Sequence, residues 1–324
     1  MTAWAVVLVT AIVVTATPLW GHPEGGTKPL RDALTVASQG YTDAKSKMDG
    51  AKKRQTEISA EVTTSEAKVA ELAIGVSRLA SVQYRGGKAN EFSVLLNSSS
   101  TESFLRSAAT VRHMEDRDIQ KLNALQAAQK QLADQRRELD AAILEQEAQI
   151  KVLKKSRDDA LTALRDAGGG DPTLGFGDLP ANAQASPRNS NGSWSNESCS
   201  VQDPTTNGCL TPRTLHALNQ TQAAGFARYV SCYRSTEDGG EHPRGRACDF
   251  ASHSSGFQDS AASGGDRDYG NRLAAWLIAN ADRLAVLYVI WYRQIWLPGI
   301  GWRAYSGGGG AAAEHTNHVH LSIR

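Results

Sequence analysis

The sequence predicts an α+β protein: a long antiparallel α-helical coiled-coil hairpin, then a small α+β domain with a mainly antiparallel sheet. Three observations carry this. Apolar residues recur every seven positions over much of the first half; the period then gives way to a Gly-, Pro-, Asn- and Ser-rich stretch; beyond it helical segments are mixed with β-branched and aromatic runs. At 324 residues the chain exceeds one ordinary core, since domains run to ~100–200 residues. A net charge of +1 gives no concentrated basic face, so no nucleic-acid partner is expected.

The first element, residues 1–22, is the uncharged apolar run "AWAVVLVTAIVVTATPLWG", with small residues Ala16 and Thr17 near its end. It is long enough for an export signal and marginal for a bilayer span, which needs about 20 apolar residues. No Lys or Arg precedes it, so a cleaved signal peptide and a retained membrane anchor both stay open. Either one implies export.

Residues 28–166 carry the hairpin. One seam runs through Leu34, Tyr41, Met48, Val62, Val69 and Val76, and its companion through Ala37, Ala44, Ala51, Ile58, Leu72 and Leu79. This a/d spacing, uninterrupted by Pro, predicts a long helix. A second seam passes through Leu122, Leu125, Leu132, Leu139, Ile143, Ile150, Leu153 and Leu164, with Gln129, Arg136, Gln146 and Arg157 at core positions. Extended back through Val111, Ala108 and Phe104, it makes a helix of about 60 residues, or about 90 Å at 1.5 Å per residue. Between the two, Gly86 and Gly87 are expected to stop the first helix, and Ser100 or Thr101 with Glu102 to cap the second.

Residues 167–193 lack periodicity and read as a flexible linker. The last domain spans 194–324: a helix after Pro212, a helix in "RDYGNRLAAWLIANADRL", the apolar "AVLYVIWYRQIW", and a terminal strand "HVHLSI". All four cysteines, Cys199, Cys209, Cys232 and Cys248, fall in this domain and none forms a C-x-x-C pair. An even number in an exported chain favours two disulfides. Three connectivities are possible; the local pairing, Cys199 with Cys209 and Cys232 with Cys248, is preferred.

Metal chemistry is suggested by "GEHPRGRACDF" and "HVH". A hydrolytic zinc site takes three protein ligands from His, Asp or Glu and leaves one position open. His242 and Asp249 supply two ligands, and "HVH" supplies the third. Side chains two apart on a strand share a face, about 6.6 Å apart along it. His318 and His320 therefore face one site, one free to ligate and the other to act on substrate, while Val319 points into the core. His113 and His216 read as ordinary helix residues, and His253 and His315 as structural or solvent-facing. Trp291, Trp296 and Trp302 read as core rather than as a sugar platform.

Two resemblances extend this reading. The text "YRGG…FSVLLNSSSTESFLRSAAT" is similar to the coiled-coil segments that precede catalytic domains in bacterial, especially actinobacterial, cell-wall hydrolases. Over about residues 30–166 it implies a hairpin that restrains the enzyme and docks on an FtsEX-type membrane complex. The run "VSCYRS…GEHPRGRACDF…HVH" resembles the zinc peptidases of the D-alanyl-D-alanine carboxypeptidase and hedgehog-like fold, whose pattern is S-x-Y-R, S-x-H-x-x-G-x-A-x-D and a late His or H-x-H. The match passes through Ser231, Tyr233, Arg234, His242, Gly245, Ala247 and Asp249 to His318 and His320.

This second resemblance implies that His242, Asp249 and His320 bind Zn2+. It makes Arg234 a clamp for the substrate carboxylate or oxyanion, and puts His318 beside the scissile carbonyl as base or transition-state stabiliser. It also implies peptidoglycan as partner and substrate. If Cys232 pairs with Cys248, the disulfide ties the Arg234 strand to the Asp249 strand. Two positions depart from the pattern: Gly240 replaces its Ser, and Asn317 stands where the carboxypeptidase branch has a catalytic Glu. Glu314 is six residues before His320, about 20 Å on an extended strand, and reaches the site only if the chain folds back. The missing Glu motivates an alternative, a wall-binding or hydrolase-activating module without turnover.

Overall fold

The computed structural model describes residues 25–236 and 239–324. The apolar run of residues 3–21 and its role as signal or anchor lie outside the described residues. Among them, no helix is long and apolar enough to cross a membrane. The fold is mixed helix and sheet, with two long helices, α1 (Lys28–Leu96) and α2 (Thr101–Asp166), ahead of a small antiparallel-sheet domain.

By backbone contacts the chain forms two compact units. One comprises residues 43–155 and 188–195; the other comprises the chain through Thr42, residues 156–187 and residues 196–324. In the first unit the inner seam of α1 is as the heptads require, with Ala44, Ala51, Ile58 and Val62 buried. The seam expected of α2 is met in part. Ala128 and Ala142 are buried and Gln135 and Gln149 half-buried beside Leu125, Leu132, Leu139 and Leu153. Leu122 and Ile150, expected inside, are 44% and 49% exposed. Ala128 and Ala142 are the most buried residues of this stretch, and Leu125, Leu132, Leu139, Ile143 and Leu153 are half-buried around them. The helices touch through polar pairs, Arg136 with Glu66 at 2.7 Å and Gln135 with Glu61 at 3.1 Å.

Gly86 and Gly87 do not end α1, which continues to Leu96. Gly inside a helix costs about 1 kcal/mol relative to Ala, which a helix of 69 residues tolerates. The break comes at Asn97–Ser100. There the Ser100 hydroxyl accepts from the Ser103 N–H at 3.1 Å and the Ser103 hydroxyl accepts from the Ser100 N–H at 3.1 Å, a reciprocal cap.

The second unit holds the sheet. A two-stranded ladder joins β1 (Val201–Gln202) to β2 (Cys209–Leu210), and α3 (Pro212–Ala223) follows, its N-cap Thr211 accepting from Thr214 N–H. Six strands then form one sheet in the order β3-β4-β8-β5-β6-β7. They are β3 (Val230–Ser231), β4 (Ala247–Ala251), β5 (Val286–Trp291), β6 (Gln294–Leu297), β7 (Gly301–Ala304) and β8 (His318–Ile323), paired antiparallel throughout. Helices α4 (Gly264–Ala279) and α5 (Ala281–Leu284) precede β5.

Strand alternation gives the sheet two different faces. Val319, Leu321 and Ile323 of β8 join Phe250, Val289, Trp291 and residues of α3 and α4 in the main core. A Cβ on Gly270 of α4 would lie 2.2 Å from the Trp291 ring, so only glycine permits this close approach. Trp291 and Trp302 are buried and Trp296 packs against the same core, as expected for structural tryptophans. On the opposite face the first turns of α1 (Leu30, Leu34, Ala37) and the last turns of α2 (Ala160, Leu164) pack on Tyr288, Ile290, Ile295, Leu297 and Tyr305.

Residues 167–187, read from the sequence as a flexible linker, are tied along the domain. Pro172 bridges Arg303, Ala304 donates to Asp171, Ala183 N–H bonds to the Asn280 side chain, and Asn182 accepts from Trp276 Nε1. Gly, Pro and Asn suit a surface strap as well as a free linker, so composition does not separate the two.

Candidate functional site

The site is built on the half of the sheet made of β3, β4 and β8. The ladder sets Asp249 opposite His320 on one side and Ser231 on the other, and sets Ala251 opposite His318. His318, His320 and Asp249 therefore project from the same face, as the H-x-H alternation requires, and Val319 is fully buried on the other. His242 arrives from a short 3-10 turn, His242–Arg244, closed by Gly245 at φ 66°. A Cβ there would also meet the Cys199 sulfur at 2.5 Å. Both disulfides have the local pairing, Cys199–Cys209 and Cys232–Cys248. The second joins the segment bearing Arg234 to the strand bearing Asp249.

One carboxylate is the centre of the cluster. His320 Nδ1 lies 2.8 Å from Asp249 Oδ1, His242 Nε2 3.2 Å from Oδ2, His318 Nε2 3.5 Å from Oδ1 and Arg234 Nη1 3.7 Å from Oδ2. Burial pushes the Asp249 carboxyl up, but the His242 and His318 imidazoles, with hydrogen bonds from His242 and His320, outweigh it and hold the group well below the usual carboxylate range.

The outer nitrogens fix how these rings are used. A carbonyl oxygen only accepts, so His242 Nδ1, bonded to the Cys232 carbonyl, carries a proton and leaves the Nε2 lone pair facing Asp249. In a neutral ring, two acceptor atoms 3.2 Å apart need a cation between them, a proton or a metal ion. Ser322 Oγ sits 2.8 Å from His320 Nε2, and Asn317 Oδ1 2.7 Å from His318 Nδ1. Such outer bonds orient metal-ligating imidazoles.

His242, Asp249 and His320 offer one ligand atom each, all within 4.8 Å of one another. Two imidazoles and a carboxylate are a donor set suited to zinc with a position left over. The three residues are 1%, 5% and 0% exposed.

Of the two alternatives expected for His315, the structure excludes the solvent-facing one. His315, expected to be structural or solvent-facing, is fully buried, with its ring centroid 4.8 Å from that of His318 and 5.6 Å from that of His320. Its backbone is left-handed at φ 50°, its Nδ1 meets the Ala313 carbonyl at 3.0 Å, and its Nε2 has no hydrogen-bond partner. Burial, followed by the neighbouring His318 and His320, holds its pKa well below the ordinary value. Its spacing from His318 was the available signal, but the left-handed turn that brings it inward is not visible as a pattern.

The remaining candidates lie elsewhere. Glu314 binds the Ser306 hydroxyl at 2.8 Å and the Gly308 N–H at 3.0 Å, which commits it to the loop before β8. His253 pairs with Asp266 at 3.1 Å, and His216 Nε2 meets the Gln184 carbonyl at 2.9 Å. The roots of the long helices do reach the site. Thr35 Oγ1 donates to the buried Glu241 Oε1 at 3.1 Å, next to His242, and Tyr288 stacks on His320 at 5.7 Å.

No curated protein and no solved structure matches this chain. A family model described as VldE, C-terminal domain, matches residues 206–316, a span that takes in Arg234, His242, Asp249 and His315 and stops short of His318 and His320.

Proposed function

We propose that the chain is an exported zinc peptidase that cleaves an amide bond in the stem peptide or cross-bridge of peptidoglycan, under the control of its long helices. The observation that carries this reading is the convergence of His242, Asp249 and His320 within 4.8 Å, with His318 and Arg234 directed at the same carboxylate. Two disulfides agree with export, because such bonds persist in oxidising compartments.

His242, Asp249 and His320 would hold the ion. Zinc there supplies Lewis acidity, activating water near neutral pH and polarising the scissile carbonyl. Arg234 would offset negative charge on the carbonyl oxygen or anchor a terminal carboxylate. His318, oriented by Asn317, would accept or return the proton that moves from water to the leaving amine. The Cys232–Cys248 bond keeps the clamp and the carboxylate in register.

The burial of the donor set supports control. With Thr35 bonded to Glu241 and Leu34 packed in the cluster that contains Tyr288, control of the buried donor atoms would require the root of α1 to shift. A coiled-coil hairpin that passes on a pull or a twist from an FtsEX-type membrane complex fits that requirement.

Metal content and murein hydrolysis, measured on the full chain, test the reading. About one zinc per chain is expected, lost in His320→Ala, and hydrolysis is expected to disappear in Asp249→Ala. Thr35→Glu, which sets a second carboxylate against Glu241, should raise hydrolysis severalfold. Activity retained by Asp249→Ala sinks the proposal. A second reading rests on Asn317, whose side chain bonds His318 Nδ1 and donates to the Gln258 carbonyl at 2.5 Å, so no carboxylate occupies the family position. Under it the chain binds wall or partner without turnover, and binding survives chelation.

A further inference from the structure

A cavity of about 350 Å³ opens beside the histidine cluster, lined by Tyr229, Ser231, Ser255, Gly256, Phe257 and Gln258. Its place in the sheet follows from the ladder. Tyr229 and Ser231 are two apart on the β3 segment, so they share the face that carries Asp249, the ladder partner of Ser231. Phe257 is buried and forms the inner wall, its ring edge-on to Tyr229 at 5.5 Å and to His318 at 6.0 Å. Tyr229, 61% exposed, forms the outer wall and leaves the cavity open to solvent. One aromatic ring therefore separates this space from a proposed catalytic side chain.

The neighbouring backbone suits an extended peptide. β3 is the terminal strand of its sheet. Ala251 N–H bonds to the Tyr229 carbonyl, so in an antiparallel ladder the N–H and C=O of Val230, a residue 6% exposed, point away from β4, to the side where β3 has no neighbouring strand. A chain pairing there would lie beside the site face, with a side chain able to enter between Tyr229 and Phe257.

The lining also limits what can enter. Among the described residues no charged side chain lines the cavity, which presents two aromatic rings, three hydroxyls and one carboxamide. A carboxylate or ammonium taken into it would lose part of its water without gaining a counter-ion. A carboxamide or a small neutral side chain would lose little and could exchange hydrogen bonds with Gln258 and the serines.

From this we infer that the cavity is a specificity pocket for an uncharged substrate residue next to the bond that is cut, with Tyr229 and Phe257 as its walls and Gln258 as its polar reader. The inference rests on the peptidase reading for the phrase "bond that is cut", but the pocket itself is read by binding alone.

The test uses the full chain and two peptidoglycan stem peptides that differ at one residue, carboxamide in one and free carboxylate in the other. Equilibrium titration should show the carboxamide peptide binding at least ~10-fold more tightly, with Gln258→Lys reducing or inverting the ratio. Equal binding, a ratio unchanged by Gln258→Lys, or no binding of either peptide overturns the pocket. Hydrolysis of the same peptides is followed in parallel. Preference without hydrolysis keeps the pocket and removes the peptidase reading; hydrolysis without preference does the reverse.

Discussion

Two halves of one sheet face are buried for opposite reasons. On the β5–β6 half, Tyr288, Ile290, Ile295 and Leu297 are covered by Leu30, Leu34, Ala37, Ala160 and Leu164 from the ends of the long helices. There, burial is the stabilising event, worth about 1.5–3 kcal/mol for each large side chain removed from water. On the β4–β8 half, Asp249, His318 and His320 are equally hidden, but by one another and by His242 and Arg234. Removing those groups from water opposes folding and is offset only by their mutual pairing. A fold keeps such a cluster where chemistry requires it, and perturbed groups concentrate at functional sites. The border between the halves is where regulation would act, since Tyr288 of one stacks on His320 of the other.

The comparison breaks first at its apolar side. Leu34→Asp should cost more than ~4 kcal/mol by burying an unpaired carboxylate, seen as collapse of the cooperative urea transition. A midpoint that barely moves would mean that α1 does not hold this face. The polar side is held differently, by cross-links. Losing Cys232–Cys248 through the double change to Ser should cost about 3 kcal/mol, as for a loop of about 15 residues, and should weaken metal retention by loosening Arg234 against Asp249.

A smaller effect comes from Asp203. Burial pushes its carboxyl up, but hydrogen bonds from the Thr206 hydroxyl, the Tyr233 N–H and the Thr205 hydroxyl and N–H outweigh this and hold it below the ordinary value. Because the folded-state pKa is the lower one, this stabilisation is fully present above about pH 4, the unfolded-state value, and is lost as pH falls through the folded-state value. Asp203→Asn should cost about 1–2 kcal/mol at pH 7 and shrink the gap in melting temperature between pH 7 and pH 3. An unchanged gap would show that Tyr233, and with it the approach to Arg234, is not held by this charge.

The smallest effect lies outside the sheet. Leu122→Gln and Ile150→Gln in α2 should each change stability by less than ~0.5 kcal/mol, and Leu139→Gln by more than ~1 kcal/mol, when unfolding is followed by helical circular dichroism. Equal costs would restore the seam that the sequence alone suggests.

Legibility divided along the same physical line. The spacing of His318 and His320 was visible in the chain, the local cysteine pairing was the preferred one of three, and the set His242, Asp249 and His320 came from the resemblance. The place of His315 was not visible, because its inward turn depends on a left-handed backbone and on Tyr292 and Arg293, whose N–H groups bond the carbonyls of His315 and Glu314. The strap of residues 167–187 was missed because its partners, Arg303, Asn280 and Trp276, lie roughly a hundred positions away.

What the sequence determined by itself is therefore local and periodic: two long helices, a strand whose alternate residues face one site, and cysteines close enough to join. These follow from the 3.6- and 2-residue repeats of the backbone, which act within a few positions. Only the tertiary structure decided which residues of α2 turn inward and that a fourth histidine, His315, packs against His318 and His320. Those outcomes come from packing between distant segments, where small differences in volume and one left-handed residue outweigh pattern.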